Sequence, residues 1–240
     1  MNVKYIQGFI LAGVFGLQFF FEHVFPQRKE LNDWKNERFN IAIGMLNIIL
    51  TLLPAFALLH WIRFVAGKKL GILNLVHASL LVQILLSIVL LDLWMYAWHQ
   101  LNHKLNFLWQ FHRFHHKDEK MNSTTALRFH IAELLFSYPG KALMCLIAGI
   151  NFTPLVIYEC LFSISVIIHH SNIRITERLD TIYRVVFVSP IMHRIHHSAK
   201  QEERDNNYGA LFSFWDRLFR SWKMKPDKGL VYGITDKYQK

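Results

Sequence analysis

Two copies of the motif His-x-x-His-His, at residues 112–116 and 193–197, constrain this chain more than any other feature. A His-x-x-x-His pair at residues 99–103 precedes the first copy, and a His-His pair at residues 169–170 lies between the two. Residues three and four apart lie on one face of a helix. Each group is therefore expected to project its imidazoles together.

Ten of the fourteen histidines belong to these groups, and imidazole binds iron, zinc, copper and nickel well. A structural zinc ion takes four ligands, so ten histidines exceed the needs of one metal. A two-metal centre would use eight or nine ring nitrogens and leave positions open for a small ligand. Such a shell is neutral, and carboxylates that accept ring N–H bonds would offset the charge of the cations. The candidates are Asp92, Glu133, Asp180 and Asp205.

Long apolar runs in a chain of 240 residues that is 52% hydrophobic indicate an integral membrane protein. Residues 3–25, 41–64 and 72–96 are predicted as three spans, and residues 134–150 and 155–168 as a helical hairpin. The predicted fold is all-α: a membrane helical bundle with a histidine-rich helical cap. Residues 1–240 are expected to form a single domain.

Charge predicts the orientation of this bundle. The formal net charge is +10, and thirteen of the twenty-seven Lys and Arg residues follow residue 170. Beside membrane spans, such residues favour contact with anionic lipid rather than nucleic acid. The positive-inside rule places this tail, residues 99–133 and a charged loop at 27–40 on the cytoplasmic side. The membrane would be a bacterial inner membrane or the endoplasmic reticulum.

Cofactor signals other than the histidines are absent from the sequence. The two cysteines, Cys145 and Cys160, lie in apolar runs and form no C-x-x-C metal motif. No Gly-rich nucleotide fingerprint is found, so the chain is not expected to carry its own flavin or NAD(P)H.

A histidine-rich site at a membrane surface suits dioxygen chemistry, because iron with open positions binds O2. An apolar cavity would hold a lipid chain and keep water away. These features predict hydroxylation or desaturation of a lipid C–H bond, and the choice between the two stays open. One alternative is a metal-handling membrane protein, although transporters place ligands near the bilayer midplane. Another is a haem protein that uses His60 and His77.

The histidine boxes resemble those of the fatty acid hydroxylase / sterol desaturase superfamily. The resemblance covers about residues 72–222, with a catalytic region at about 92–222. Similar stretches are DLWMYAWH at 92–99, LWQFHRFHH at 108–116, TALRFHIAE at 125–133, HHSNI at 169–173 and NYGALFSFWDRLF at 207–219.

This resemblance implies a centre of two iron ions, for which zinc can substitute in purified protein. It also implies O2 as co-substrate, a lipid substrate and a separate electron donor, of the cytochrome b5 or ferredoxin type with its reductase. The implied ligands are His99, His103, His112, His115, His116, His170, His193, His196 and His197. His169 is the alternative to His170, and His130 is either a further ligand or a hydrogen-bond partner of one. The candidate partners around the ligands are Asp92, Asn172 and Asp205.

Overall fold

The computed structural model describes residues 3–75, 79–226 and 229–234, with the side chains of residues 3–7 excepted. Within these ranges all regular secondary structure is helical. Isolated β-bridges join a few extended residues. The α-helices are α1 (Val3–Val24), α2 (Trp34–Gly67), α3 (Ile72–Leu75), α4 (Leu80–Lys104), α5 (Asn106–His116), α6 (Ile131–Ala148), α7 (Phe152–His170), α8 (Glu177–Tyr183), α9 (Pro190–His196), α10 (Gln201–Arg204) and α11 (Phe214–Leu218). Short 3-10 helices lie at Lys29–Leu31 and Ser123–Leu127.

Four helical stretches of the described chain are long and apolar enough to cross a membrane. They are Trp34–Leu75, Leu80–Lys104, Ile131–Ala148 and Phe152–His170, and a shorter apolar stretch covers Gly8–Val24. Large apolar side chains on these helices face outward, as lipid-facing helices require. The predicted all-α membrane bundle is thereby confirmed.

The long helices bring every histidine box to one end of the bundle. α2 and α6 run in parallel, since Asn47 Nδ2 donates to Phe129 O at 2.8 Å and Trp61 Nε1 donates to Ala142 O at 3.0 Å. α4 and α7 both end in histidines, and α5 and α9 lie beside those ends. We call this the histidine end.

The opposite end closes through two glycines. Gly71 and Gly149 have positive φ angles of 90° and 75°, where a side chain would be strained. A Cβ on Gly71 would lie 2.2 Å from the backbone nitrogen of Gly149. This close approach lets α6 turn into α7 against the chain that follows α2.

Two predicted boundaries were wrong. The charged loop at 27–40 is shorter than expected, because Asp33 caps α2 by accepting the N–H of Asn36 at 3.0 Å. The span predicted at 72–96 is not one helix, because Ser79 has an extended backbone and caps a new helix, α4, that begins at Leu80. α4 then continues to Lys104 and carries the first histidine box on its last two turns.

Buried carboxylates tie the histidine end to α1 and α2. Glu22 accepts the N–H and the hydroxyl of Ser123, at 3.0 and 2.5 Å, and the N–H of Asn172 at 3.1 Å. Asp118 accepts from the side chains of Asn40 and Thr125, at 2.8 and 2.9 Å. These bonds hold the segment between α5 and α6 against the ends of the first two helices.

Candidate metal centre

Nine buried or half-buried histidines form two groups at the histidine end. Within each group, one ring nitrogen from every member lies within 4.8 Å of the others. The first group holds His99, His103, His112, His116 and His196, and the second holds His115, His170, His193 and His197. These are the nine residues that the sequence predicted as ligands, and the structure brings them together.

Each box divides its histidines according to helical geometry. α4 contributes residues 99 and 103, one turn apart, to the first group. On α5, residues 112 and 116 face the first group, whereas residue 115 faces the second. The last box is split in the same way, with residue 196 in the first group and residues 193 and 197 in the second. Each His-x-x-His-His motif therefore contributes to both groups of histidines.

Six of the nine rings use Nδ1 for a hydrogen bond directed away from the cluster. His112 Nδ1 donates to Glu133 Oε1 at 2.8 Å, and His103 Nδ1 donates to Asp205 Oδ1 at 3.2 Å. The other four rings donate to backbone carbonyls: His99 to Tyr208, His115 to Arg128, His170 to Val166 and His196 to Asn206. Carbonyls and carboxylates accept only, so Nδ1 carries the proton in these rings and Nε2 offers its lone pair inward.

One pair of inward nitrogens lies closer together than two unprotonated imidazole nitrogens tolerate without a cation. His170 Nε2 lies 3.0 Å from His115 Nε2 and 2.9 Å from His193 Nε2. Because His115 and His170 both hold their proton on Nδ1, two lone pairs face each other across the first of these distances. Nitrogens about 2.0–2.1 Å from one metal, at angles of ~90–110°, stand about 2.9–3.4 Å apart. The donor set and its spacing therefore fit bound metal.

Burial keeps these rings in their ligand form. Four of the histidines that lie outside the membrane-spanning helices have a pKa well below the ordinary 6.5: His115, His116, His193 and His197. Burial is the larger cause of this lowering, and the neighbouring imidazoles are the second. The same two causes lower the pKa of His196. A metal ligand must be unprotonated, so at neutral pH these rings can bind a cation at once.

His130 and His169, the two alternative ligands, lie outside both groups. His130 Nδ1 accepts the N–H of Ala132 at 3.1 Å and caps α6. His169 packs on His193, with ring centroids 3.9 Å apart. Of the two residues at 169–170, the structure thus brings His170 into the cluster.

The predicted carboxylate and amide partners separate into those that reach a histidine and those that do not. Glu133 and Asp205 hold His112 and His103. Asp92 instead accepts from the N–H groups of Leu211 and Phe212 and from the Trp215 indole, at 2.9–3.1 Å. Two further candidates are also engaged elsewhere: Asp180 with Arg184, and Asn172 with the chain around Arg28.

Of the two histidines proposed for haem, the structure describes only His60. His60 is bonded to the carbonyl of Phe56, one turn earlier on α2. His77 lies outside the described residues. The cluster at the histidine end is accordingly the metal-binding arrangement that the described structure offers.

Sequence reasoning missed the backbone acceptors that orient the rings. The carbonyls of Arg128, Val166, Asn206 and Tyr208 carry no side-chain signal, and only the fold brings them to the histidines. A polar cleft of about 230 Å³ beside His103 was also missed. It is lined by His103, Asn106, Trp109, Arg113, Gln201, Arg204, Asp205 and Ile234.

Fold and site together define a class: helical membrane proteins with a nine-histidine cluster at one end of the spans. A sequence model described as fatty acid hydroxylase matches residues 84–221, which include every member of the cluster. The chain therefore belongs to the fatty acid hydroxylase family. No solved structure matches it.

Curated relatives include lipid hydroxylases. Alkylglycerol monooxygenase of Danio rerio is 30% identical over 145 residues, or 60% of this chain and 31% of that protein. The human enzyme of the same name is 28% identical over 148 residues, with the same coverage of each chain. Ornithine lipid hydroxylase OlsE of Rhizobium tropici is 29% identical over 163 residues, or 66% of this chain and 47% of that protein. The matches thus span between about a third and a half of these relatives.

Proposed function

We propose that this chain is an O2-dependent lipid hydroxylase with a histidine-held di-iron centre at the cytoplasmic face of the membrane. The observation that carries this proposal is the division of nine imidazoles into groups of five and four, six of them with the Nε2 lone pair directed inward. Two groups fit two metals, and neutral nitrogen ligands suit iron. Family membership and the names of the relatives support oxygenase chemistry.

The proposed reaction converts a C–H bond of a lipid, with O2, two electrons and two protons, into C–OH and water. The di-iron centre, when bound, supplies the reductive activation of O2. The electrons come from a separate protein of the cytochrome b5 or ferredoxin type with its reductase. Hydroxylation is favoured over desaturation because the relatives are named as a monooxygenase and a hydroxylase.

The chain's own residues orient and shield this chemistry. Glu133 and Asp205 hold the rings of His112 and His103 by their Nδ1–H groups, which keeps Nε2 available and raises its basicity. The apolar surfaces of the spanning helices accommodate the lipid chain and exclude water from the reacting carbon. The polar cleft beside His103 supplies a route for protons from the aqueous side.

Transport or sensing of metal is the less favoured function. A transporter keeps its ion site near the middle of the bilayer, where both sides can reach it in turn. The nine histidines instead lie at the ends of α4 and α7 and on the short helices α5 and α9.

The first experiment measures metal and oxygen transfer in one preparation. Protein is purified in mild detergent from iron-supplemented cells, and iron, zinc and the haem spectrum are recorded per chain. It is then supplied with a reductase system, oxygen-18 dioxygen and either alkylglycerols or ornithine lipids. About two metals per chain and oxygen-18 in a lipid product support the proposal. A haem band, or metal-loaded protein that transfers no oxygen to any lipid class, would overturn it.

Orientation is tested separately. Fluorescent protein or alkaline phosphatase is fused after residue 240 in a bacterial host. Fluorescence without phosphatase activity is expected, because the tail is rich in basic residues. The opposite pattern would place the histidine end outside.

A further inference from the structure

An apolar surface lies outside the spanning helices, on the chain that follows α7. Leu179, Ile182 and Val185 expose 58%, 62% and 62% of their surface, at helical spacing. We call the following residues the apolar patch: Leu179, Ile182, Val185, Val186, Phe187, Leu218 and Phe219. A patch of this kind on a water-soluble surface marks a place where something apolar binds.

The helix α8, which forms part of the patch, is inverted relative to a helix in water. Asp180 is fully buried and pairs with Arg184 at 3.3 Å, whereas the apolar side chains of α8 face outward. In α11, Trp215 and Asp216 are both buried, while Leu218 at its end adds an apolar side chain that is 65% exposed. An amphipathic helix in water turns its apolar face inward. Polar groups inside and apolar groups outside indicate an apolar exterior.

The depth of the patch agrees with this inversion. Phe187 forms a β-bridge with Phe212, whose N–H donates to Asp92 at 3.0 Å. Asp92 precedes His99 by seven residues on α4. That separation is about 10 Å along the helix axis, toward the apolar part of α4. The patch therefore lies beside the spanning helix α4, displaced from the histidine cluster toward the apolar part of that helix.

Exposed arginines lie in the chain next to the patch, at positions 174, 178 and 220, whereas the guanidinium of Arg217 donates to the carbonyls of Arg184 and Val185. Guanidinium groups bind phosphate well, and anionic lipid headgroups attract basic residues near the membrane surface. A lipid leaflet offers both an apolar layer for the patch and phosphates for the arginines. A protein partner would have to offer both an apolar surface for the patch and anionic groups for the arginines.

We propose that the apolar patch is embedded in the leaflet, at the boundary of headgroups and acyl chains, with its arginines on lipid phosphates. α8, the chain from there to Phe187 and the end of α11 then form an interfacial anchor in addition to the spans. It anchors the histidine end in the leaflet. The inference depends on membrane insertion and not on the chemistry of the metal centre.

The test is a depth measurement in lipid nanodiscs that each hold one chain. Native Cys145 and Cys160 are replaced by Ala, and Ile182→Cys is labelled with bimane. Leu81→Cys, 65% exposed on the spanning helix α4, serves as the lipid-facing control. Glu202→Cys, exposed on the polar helix α10, serves as the aqueous control. Lipids with a nitroxide on the acyl chain and aqueous iodide are the two quenchers.

We expect the nitroxide lipids to quench the probe at position 182 as strongly as the probe at position 81, with little quenching by iodide. Quenching by iodide like that at position 202 would overturn the proposal. Protection from both quenchers would also overturn it, because the patch would then be covered by protein. Val185→Cys repeats the measurement on the same face if Ile182→Cys does not fold, as judged by its metal content.

Discussion

His112 stands between a carboxylate and the cluster: its Nδ1 donates to Glu133 Oε1 at 2.8 Å, and its Nε2 faces His116 Nε2 at 3.2 Å. The His112 ring thus links the buried carboxylate of Glu133 on α6 to the first histidine group, and Glu133 orients this ring. Replacing Glu133 by Leu should lower metal affinity at that group about 10–100-fold, because the ring loses its orientation. Glu133→Gln keeps an acceptor and should lose less. Equal affinity in both variants, measured by chelator competition, would remove Glu133 from this role.

A histidine of the four-membered group should be indispensable. His115→Ala leaves three nitrogens in the second group, so we expect about one metal per chain to be lost together with hydroxylase activity. His60→Ala is the matched control, since His60 is exposed on α2 and bonded only within its own helix. Metal analysis and product formation are measured on both. Full activity in His115→Ala would contradict its assignment as a ligand.

His130 should act on stability and not on metal content. Its ring caps α6 by accepting the Ala132 N–H, and loss of a cap costs about 1 kcal/mol. His130→Ala should therefore lower the Tm, whereas His130→Asn should restore much of it because Asn caps well. Both variants should retain wild-type metal. Loss of metal in both would make His130 a tenth ligand.

Acid should release the metals. Folding lowers the pKa of His115, His116, His193, His196 and His197 below 6.5, so the unfolded chain binds more protons than the folded one in that range. Stability of the metal-free fold is therefore full above about pH 6.5 and falls as the pH drops below it. Metal retention should fall over the same range, since protons compete for the same nitrogens. A flat profile of both from about pH 7.5 to 5 would show that these rings do not titrate in this way.

The contact between α4 and α6 depends on a glycine, Gly140, which leaves room for the ring of Trp94. A Cβ on Gly140 would lie 2.1 Å from the Trp94 ring, whereas a Cβ on Gly13 in α1 would meet nothing within 4 Å. Gly140→Ala should lower the free energy of unfolding by about 1–3 kcal/mol, as overpacking does. Gly13→Ala, a helical control, should be close to neutral. Thermal unfolding of both in the same detergent makes the comparison, and equal Tm values would mean that the indole moves aside at no cost.

The sequence by itself determined the helical class, the apolar runs from which the long helices form and the histidines at helical spacing. Apolar runs of spanning length and histidines at helical spacing are local patterns, and both report directly on helices. The ends of the helices are harder to predict from such local patterns. The start of α2 depends on the single cap residue Asp33, and the break before α4 interrupts an apolar run that looks continuous.

Only the tertiary structure decided how the histidines are shared. Whether His115 joins His112 or His170 depends on how α5 packs beside α4 and α6 relative to the end of α7, and the spacing within α5 does not contain that information. The same holds for the carbonyls that orient the rings and for Asp92, which faces the chain around Phe212 rather than a histidine. These contacts join residues far apart in the chain. The packing of the helices determines these contacts, whereas each helix forms from a sequence pattern that spans only a few turns.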